Sequence, residues 1–404
     1  MSMSTRRSFL GSGLALGAGG ALATLLPGVS FAAASGAPPF VVVILRGALD
    51  GLSAVPPYGD PGYGQARGAI AIARPGADKG ALDLNGFFGL HPALPGLHAR
   101  YAAGELLVVH ATASGYRERS HFDGQNVLEN GGDKPSGTAS GWLNRALGAL
   151  GPGRADGLAL GQNVPLILRG PVPVGSWAPS ALPDVEPELI ERLRDLYAGD
   201  ATLAARLDEA TRIDALASDE QAMAGDGMKK AAGGIERLKA IAATAGRMLA
   251  SPQGPRVAVM DAGGWDTHAG EGGADGQLAG RLKGLDQVLE SLRQGLGAEW
   301  SRTAVLVCTE FGRTVEINGT RGTDHGTGAA AFVLGGAVRG GRVLADWPGL
   351  APRARYEGRD LAPTTDLRSV AKALLRDHLG VPARALADVF PGSTADAARD
   401  VVRG

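Results

Sequence analysis

Cysteine is almost missing from this chain of 404 residues: Cys308 is the only one, so no disulfide can form within it in any redox compartment. Charge of one sign is missing too. Forty basic residues stand against 41 acidic ones, and a net charge of -1 gives no electrostatic reason to expect nucleic acid or an anionic membrane surface as partner. Aromatic residues are scarce at 5%, and no apolar run is long enough and free enough of glycine to read as a membrane span. What is abundant is glycine, 63 residues, which points to tight turns and close backbone approaches. With 44% hydrophobic residues, the chain can bury one large α/β core or two smaller ones.

The first residues read as an address. Thr5-Arg6-Arg7-Ser8-Phe9-Leu10 fits the twin-arginine pattern, an apolar run extends to Leu26, and Ala32-Ala33-Ala34 offers a cleavage site before Ser35. Residues 1–34 are therefore expected to be a signal peptide. Residues 35–404 are then a periplasmic or secreted domain, exported by the twin-arginine machinery. That route carries folded proteins and suits one that loads a metal before export.

Beyond the signal, Phe40 to Leu45, Leu106 to His110, Val257 to Met260, Ala304 to Cys308 and Ala329 to Leu334 read as strands, and Val164 to Leu168 as a β-like piece. Helices are expected over Pro92 to Ala103, Ser120 to Glu129, Gly141 to Leu150, Gln277 to Leu296 and Leu367 to His378, the last with Asp366 as N-cap. Residues of about 187–250, broken at Gly225-Asp226-Gly227, form a helical insertion, either a lid or a supporting layer. Alternating strands and helices predict an α/β fold with three layers and a mainly parallel sheet. Cys308, in a strand-like run, is expected to be a buried inert thiol.

Three clusters follow strand-like runs: G-G-W-D-T-H at Gly263–His268, T-E-F-G-R-T at Thr309–Thr314 and T-D-H-G-T-G at Thr323–Gly328. Parallel sheets collect ligands at the carboxyl ends of their strands. Asp50, Asp266, His268, Glu310, Asp324 and His325 are accordingly candidate ligands for a divalent metal such as Zn²⁺, Mn²⁺ or Fe²⁺. Glu310 at a strand end needs a cation, and either a metal or Arg313 could supply it. Ser120 has two readings. S-x-x-D over Ser120–Asp123 is a capping box, whereas a serine at a helix start is also placed as a nucleophile, with Arg117 and Arg119 to hold anionic oxygens.

Taken together, these pieces resemble a bacterial family of exported proteins, domain of unknown function 1501. R-G-A-L-D-G-L at Arg46–Leu52, Y-R-E-R-S-H-F-D at Tyr116–Asp123, G-W-L-N-R at Gly141–Arg145 and T-T-D-L-R at Thr364–Arg368 join the three clusters in the expected order. That family is similar to a remote branch of the alkaline phosphatase and sulfatase superfamily, which implies an alkaline-phosphatase-like sheet. The likeness implies Asp50 after the first strand, Ser120 as nucleophile, Asp266 and His268 on one metal, and His325 as a final ligand. The superfamily's second metal takes an Asp-His pair, but Glu310-Phe311 stands there, so His121 or Asp324 would have to substitute. Arg117, Arg119, His121 and Arg313 are the expected substrate contacts. The implied function is a metal-dependent hydrolase of phosphate or sulfate monoesters acting on a small anionic ester. The alternative is a non-catalytic periplasmic metal-binding or assembly protein, paired with another exported protein.

Overall fold

The computed structural model describes residues 36–153, 156–179, 185, 187–224 and 234–404. The signal at 1–34 and the break at 225–227 lie outside the described residues.

In chain order the elements are β1 (Phe40–Arg46), α1 (Gly51–Ala54), α2 (Tyr63–Arg67), β2 (Leu82–Asp83), β3 (Gly89–Leu90), α3 (Pro95–Ala102), β4 (Leu106–Ala113), α4 (His121–Asn130) and α5 (Trp142–Leu150). Then come β5 (Gly157–Leu160), β6 (Gly175–Trp177), α6 (Pro187–Tyr197), α7 (Ala201–Ala224), α8 (Ile235–Ala250), β7 (Val257–Gly263) and α9 (Gln277–Leu296). The chain closes with β8 (Ala304–Thr309), β9 (Ala329–Leu334), β10 (Arg342–Leu344), β11 (Thr365–Asp366), α10 (Leu367–Ala373) and α11 (Leu386–Val389).

One sheet runs in the order β10-β4-β9-β8-β1-β7-β5-β6, with β11 beside β4. Every pairing in it is parallel except those of β9, which is antiparallel to both β8 and β4. The reason is the connection: β8 leads to β9 through a loop, without a crossover helix, so the chain must turn back on itself. Two antiparallel steps restore the sense, and β4 runs with β8. The carboxyl ends of β4, β8, β1 and β7 therefore open on the same edge.

Alternation along β1 builds two cores. Val41, Val43 and Leu45 pack with Ala242 and Leu249 of α8 and Leu282 and Leu289 of α9, while Phe40, Val42 and Ile44 pack with Trp142 and Leu147 of α5 and with Leu374 and Phe390. The fold is α/β with a mainly parallel, helix-covered sheet, as the strand-helix alternation predicts. Cys308 is buried in β8, and Asp366 caps α10, accepting from Arg368 N at 2.8 Å.

Two local expectations change. Val164 to Leu168 is no strand. Pro165 has no N–H to give a ladder, and Leu168 N turns back to Pro165 O at 3.0 Å in a 3₁₀ turn, while β5 and β6 on either side extend the sheet. The insertion is not uniform either: α8 is a core layer with seven buried residues, whereas α6 buries none. No helix among the described residues is long and apolar enough to cross a membrane.

Helices α8 and α9 meet backbone to backbone. A Cβ on Gly246 would lie 2.5 Å from Leu292 O and 2.8 Å from Leu296 N, whereas one on Gly280 would meet nothing within 4 Å. Gly246→Leu should therefore cost at least about 2 kcal/mol in urea unfolding, by overpacking. Gly280→Ala should instead gain up to about 1 kcal/mol through helix propensity.

Candidate metal centre

Three histidines from three separate segments meet at the carboxyl edge. His121 opens α4, His268 follows β7, and His325 lies in the long loop after β8. Each has Nδ1 tied to an oxygen acceptor: His121 to Glu310 Oε1 at 2.8 Å, His268 to Asp324 Oδ1 at 3.1 Å and His325 to the Arg119 carbonyl at 2.9 Å. A carboxylate or carbonyl can only accept, so each Nδ1 carries a proton, and a ring in its neutral form then has its lone pair at Nε2.

Those Nε2 atoms converge on Asp266. They lie 3.4 Å (His121), 3.0 Å (His268) and 3.3 Å (His325) from its carboxylate oxygens. His268 and His325 bring their Nε2 atoms within 3.0 Å of each other. Two lone pairs that close repel unless a cation or a proton lies between them. The His121 Nε2 is buried without any hydrogen-bond partner, a costly state for a ring nitrogen. Three imidazoles and one carboxylate are a donor set that suits zinc or a similar divalent ion, so the residues present fit a metal. His121, Asp266 and His325 alone already hold three ligand atoms within 4.8 Å of one another.

The surroundings brace this set. Glu310 is fully buried and accepts from Gly47 N (2.8 Å), Thr309 Oγ1 (2.8 Å), Gln125 Nε2 (3.1 Å) and His121. Burial opposes its charge, yet these donors hold its carboxyl below the usual range. Glu310 in turn raises the His121 pKa, and so makes Nε2 a stronger donor. Burial lowers the His325 pKa, which keeps that ring neutral. Phe311 stacks on His121 at 5.0 Å between ring centroids.

Asp266, His268 and His325 thus come together, and His121 joins them. Glu310 and Asp324 lie one step back, orienting imidazoles. Asp50 is elsewhere. It accepts from Leu52 N (2.9 Å) and Ser53 N (3.2 Å) at the start of α1 and is paired with Arg67. Nor does Arg313 pair with Glu310. Its buried guanidinium contacts Asp266 and the carbonyls of Gly47 (2.9 Å), Ala48 (2.8 Å), Trp265 (3.2 Å) and Thr323 (3.0 Å), tying together the loops after β1, β7 and β8. A Cβ on Gly47, which has φ +119°, would lie 2.7 Å from Asp266 N, so glycine is required there.

Arg117 and Arg119 are occupied as well. Arg117 donates to the carbonyls of Ser114 and Tyr116, while Arg119 pairs with Glu357 and donates to Asp360 Oδ2 at 2.8 Å. Arg119 also sits at φ 63°, a strained conformation for a side-chain-bearing residue, held by these contacts and by His325. Ser120 takes the N-cap position of α4, but its side chain caps no N–H, so the capping box does not form.

Behind the ligands lies a network that the sequence did not announce: Asp50, Arg67, Ser53, Thr267, Thr323 and Glu271. Glu271 Oε2 accepts from Thr267 (2.9 Å), beside Asp266, and from Thr323 (2.6 Å), beside Asp324, and Ser53 bridges Asp50 (3.0 Å) to Glu271 (3.3 Å). A buried glutamate three residues past His268 carried the only hint, and Arg67 sits in a segment with no periodic signal. Burial opposes the Asp50 charge but Arg67 holds its pKa low, whereas burial and Asp50 push Glu271 up to about 8.

Residues 37–387 match the family described as "Protein of unknown function (DUF1501)". No curated protein matches the sequence. Among solved structures, the chain is similar to the phosphonate monoester hydrolase of Agrobacterium radiobacter, with 12% identity and a TM-score of 0.35, over 85% of this chain and 74% of that one.

Replacing Arg67 by Met strands the buried Asp50 carboxylate, and urea unfolding should show a loss of about 3–5 kcal/mol. The folded protein keeps a proton on Glu271 that the unfolded chain releases above about 4.5. Stability from this group is full below that value and is lost as pH rises to about 8. Urea unfolding of Glu271→Gln at intervals across that window should accordingly fall less with pH than the wild type.

Proposed function

The chain belongs to the DUF1501 family, and for it we propose a metal-dependent hydrolase of phosphate or sulfate monoesters. The observation that carries this reading is the convergence of three imidazole Nε2 atoms on Asp266, beside a serine whose hydroxyl caps nothing. When bound, a divalent ion supplies Lewis-acid polarisation of an ester's anionic oxygens.

The chain's own residues supply the remainder. Ser120, at the start of α4, offers its Oγ where the helix N-terminus favours an incoming anion. The bond from Oγ to phosphorus or sulfur forms as the bond to the departing oxygen breaks, and the hydroxyl proton passes through solvent to that oxygen. Water then hydrolyses the seryl ester and restores Ser120. The Asp266 and His268 side chains are 42% and 43% exposed, which leaves the centre open to a substrate. The twin-arginine pattern at Thr5–Leu10 supports export of the folded, metal-loaded protein to the periplasm.

Two observations favour a second reading, a non-catalytic metal-binding or assembly protein. Arg67 occupies Asp50, and the arginines at 117, 119 and 313 are all engaged within the fold.

The two readings separate on one set of variants. Metal analysis of the wild type should find about one ion per chain, lost in Asp266→Asn and His325→Ala. Hydrolysis of 4-nitrophenyl phosphate or 4-nitrocatechol sulfate should fall roughly a hundredfold or more in Ser120→Ala, with metal retained. Because Ser120 caps nothing, the same variant should lose less than the about 1 kcal/mol of an ordinary N-cap deletion. Glu310→Gln should weaken metal affinity by roughly 10–100-fold. A metal-free wild type, inactive on both esters, contradicts the hydrolase reading.

A further inference from the structure

Helices α8 and α9 leave a cavity of about 420 Å³ against the carboxyl end of β7, a size that takes a small organic group. Val43, Leu238, Leu285, Val288 and the Trp265 ring line it, with Ile235 at its edge. The lining is apolar, and Arg281 and Gln277 are its main polar members.

Two features tie this cavity to the metal centre. First, Trp265 and Asp266 are consecutive: one presents its ring to the cavity, the next its carboxylate to the imidazoles. Between the cavity wall at Ala262 and Asp266, the chain carries two residues without side chains, Gly263 and Gly264. A Cβ on Gly263 would meet nothing within 4 Å, and one on Gly264 would strike the Arg281 guanidinium. Gly263 thus faces open space, and the Arg281 guanidinium lies over Gly264. Second, Arg281 makes no hydrogen bond or ion pair among the described residues, unlike the engaged arginines at 117, 119 and 313.

Gly280 adds an independent sign. Glycine is unfavourable inside a helix, and no neighbour requires it here, since a Cβ would enter open space. Gly284, one turn on, is different: a Cβ there would lie 2.6 Å from Ile235 Cδ1. Glycine at 280 therefore serves to keep the cavity mouth clear.

We infer that this cavity holds the apolar alcohol or phenol portion of the ester, with Arg281 beside the anionic group as it crosses Gly263 and Gly264 towards the metal centre. The substrate class is then a phosphate or sulfate monoester of a hydrophobic alcohol. The identity of the reacting group rests on the hydrolase reading, while the pocket itself does not.

Calorimetric titration of the full chain, loaded with metal, against 1-naphthyl phosphate and methyl phosphate tests this. The wild type should bind the naphthyl ester at least about tenfold more tightly, since burial of one ring system is worth that much. Gly280→Leu places a side chain on the cavity wall and should abolish the preference, with unchanged metal content and a thermal midpoint no lower than that of the wild type. Arg281→Met should weaken 1-naphthyl phosphate about fivefold and leave 1-naphthol unaffected. Equal binding of the two phosphates, or a preference that survives Gly280→Leu, overturns the pocket. Preferential binding without turnover supports the pocket and contradicts the hydrolase reading, and turnover without the preference does the reverse.

Discussion

Everything at the carboxyl edge depends on how the Nδ1 atoms of three imidazoles are held. Glu310, Asp324 and the Arg119 carbonyl each take one Nδ1 proton, and that single choice fixes both tautomer and direction. Once it is made, His121, His268 and His325 must point their lone pairs at Asp266, in an arrangement that only a cation or added protons can relieve. The cost of Glu310's burial and of the φ 63° at Arg119 makes sense in this light, because both hold a histidine.

Arginine does the bracing. Arg313 gathers carbonyls from the loops after β1, β7 and β8, so these three segments keep their spacing before any ion arrives. Arg67 neutralises Asp50 behind them, and Glu271 links that pair to Thr267 and Thr323, the neighbours of Asp266 and Asp324. A rigid frame of this kind lowers the conformational cost of assembling ligands from distant parts of the chain. It also uses up the guanidinium groups that an anionic substrate would otherwise meet, which leaves the metal centre, the α4 N-terminus and Arg281 to receive it.

Much of the fold was legible because it is local. The runs at Phe40, Leu106, Val257 and Ala304 announce strands by composition, the helix over Gln277 to Leu296 announces itself by period, and Asp366 by its capping chemistry. What failed to show was set by contacts between distant segments. Pro165 turned an apolar run into a 3₁₀ turn, and nothing at Arg67 marks it as the partner of Asp50. At the site, Asp266, His268 and His325 were readable as candidate ligands from their glycine-flanked loops, and the fold brings them together. His121 was read both as a substrate contact and as a substitute ligand, and its partner Glu310, 189 residues away, could not be paired with it from the sequence. Ser120 showed a capping box in sequence, but its side chain caps no N–H of α4.

The central claim is that His121, His268, His325 and Asp266 bind one ion together. X-ray absorption at the zinc edge of the zinc-loaded protein measures it directly. The account predicts a four-coordinate first shell of light N/O donors at about 2.0–2.1 Å, with the multiple-scattering pattern of three imidazoles. A shell with one imidazole or none, or an ion bound equally well after His121→Ala, would contradict it.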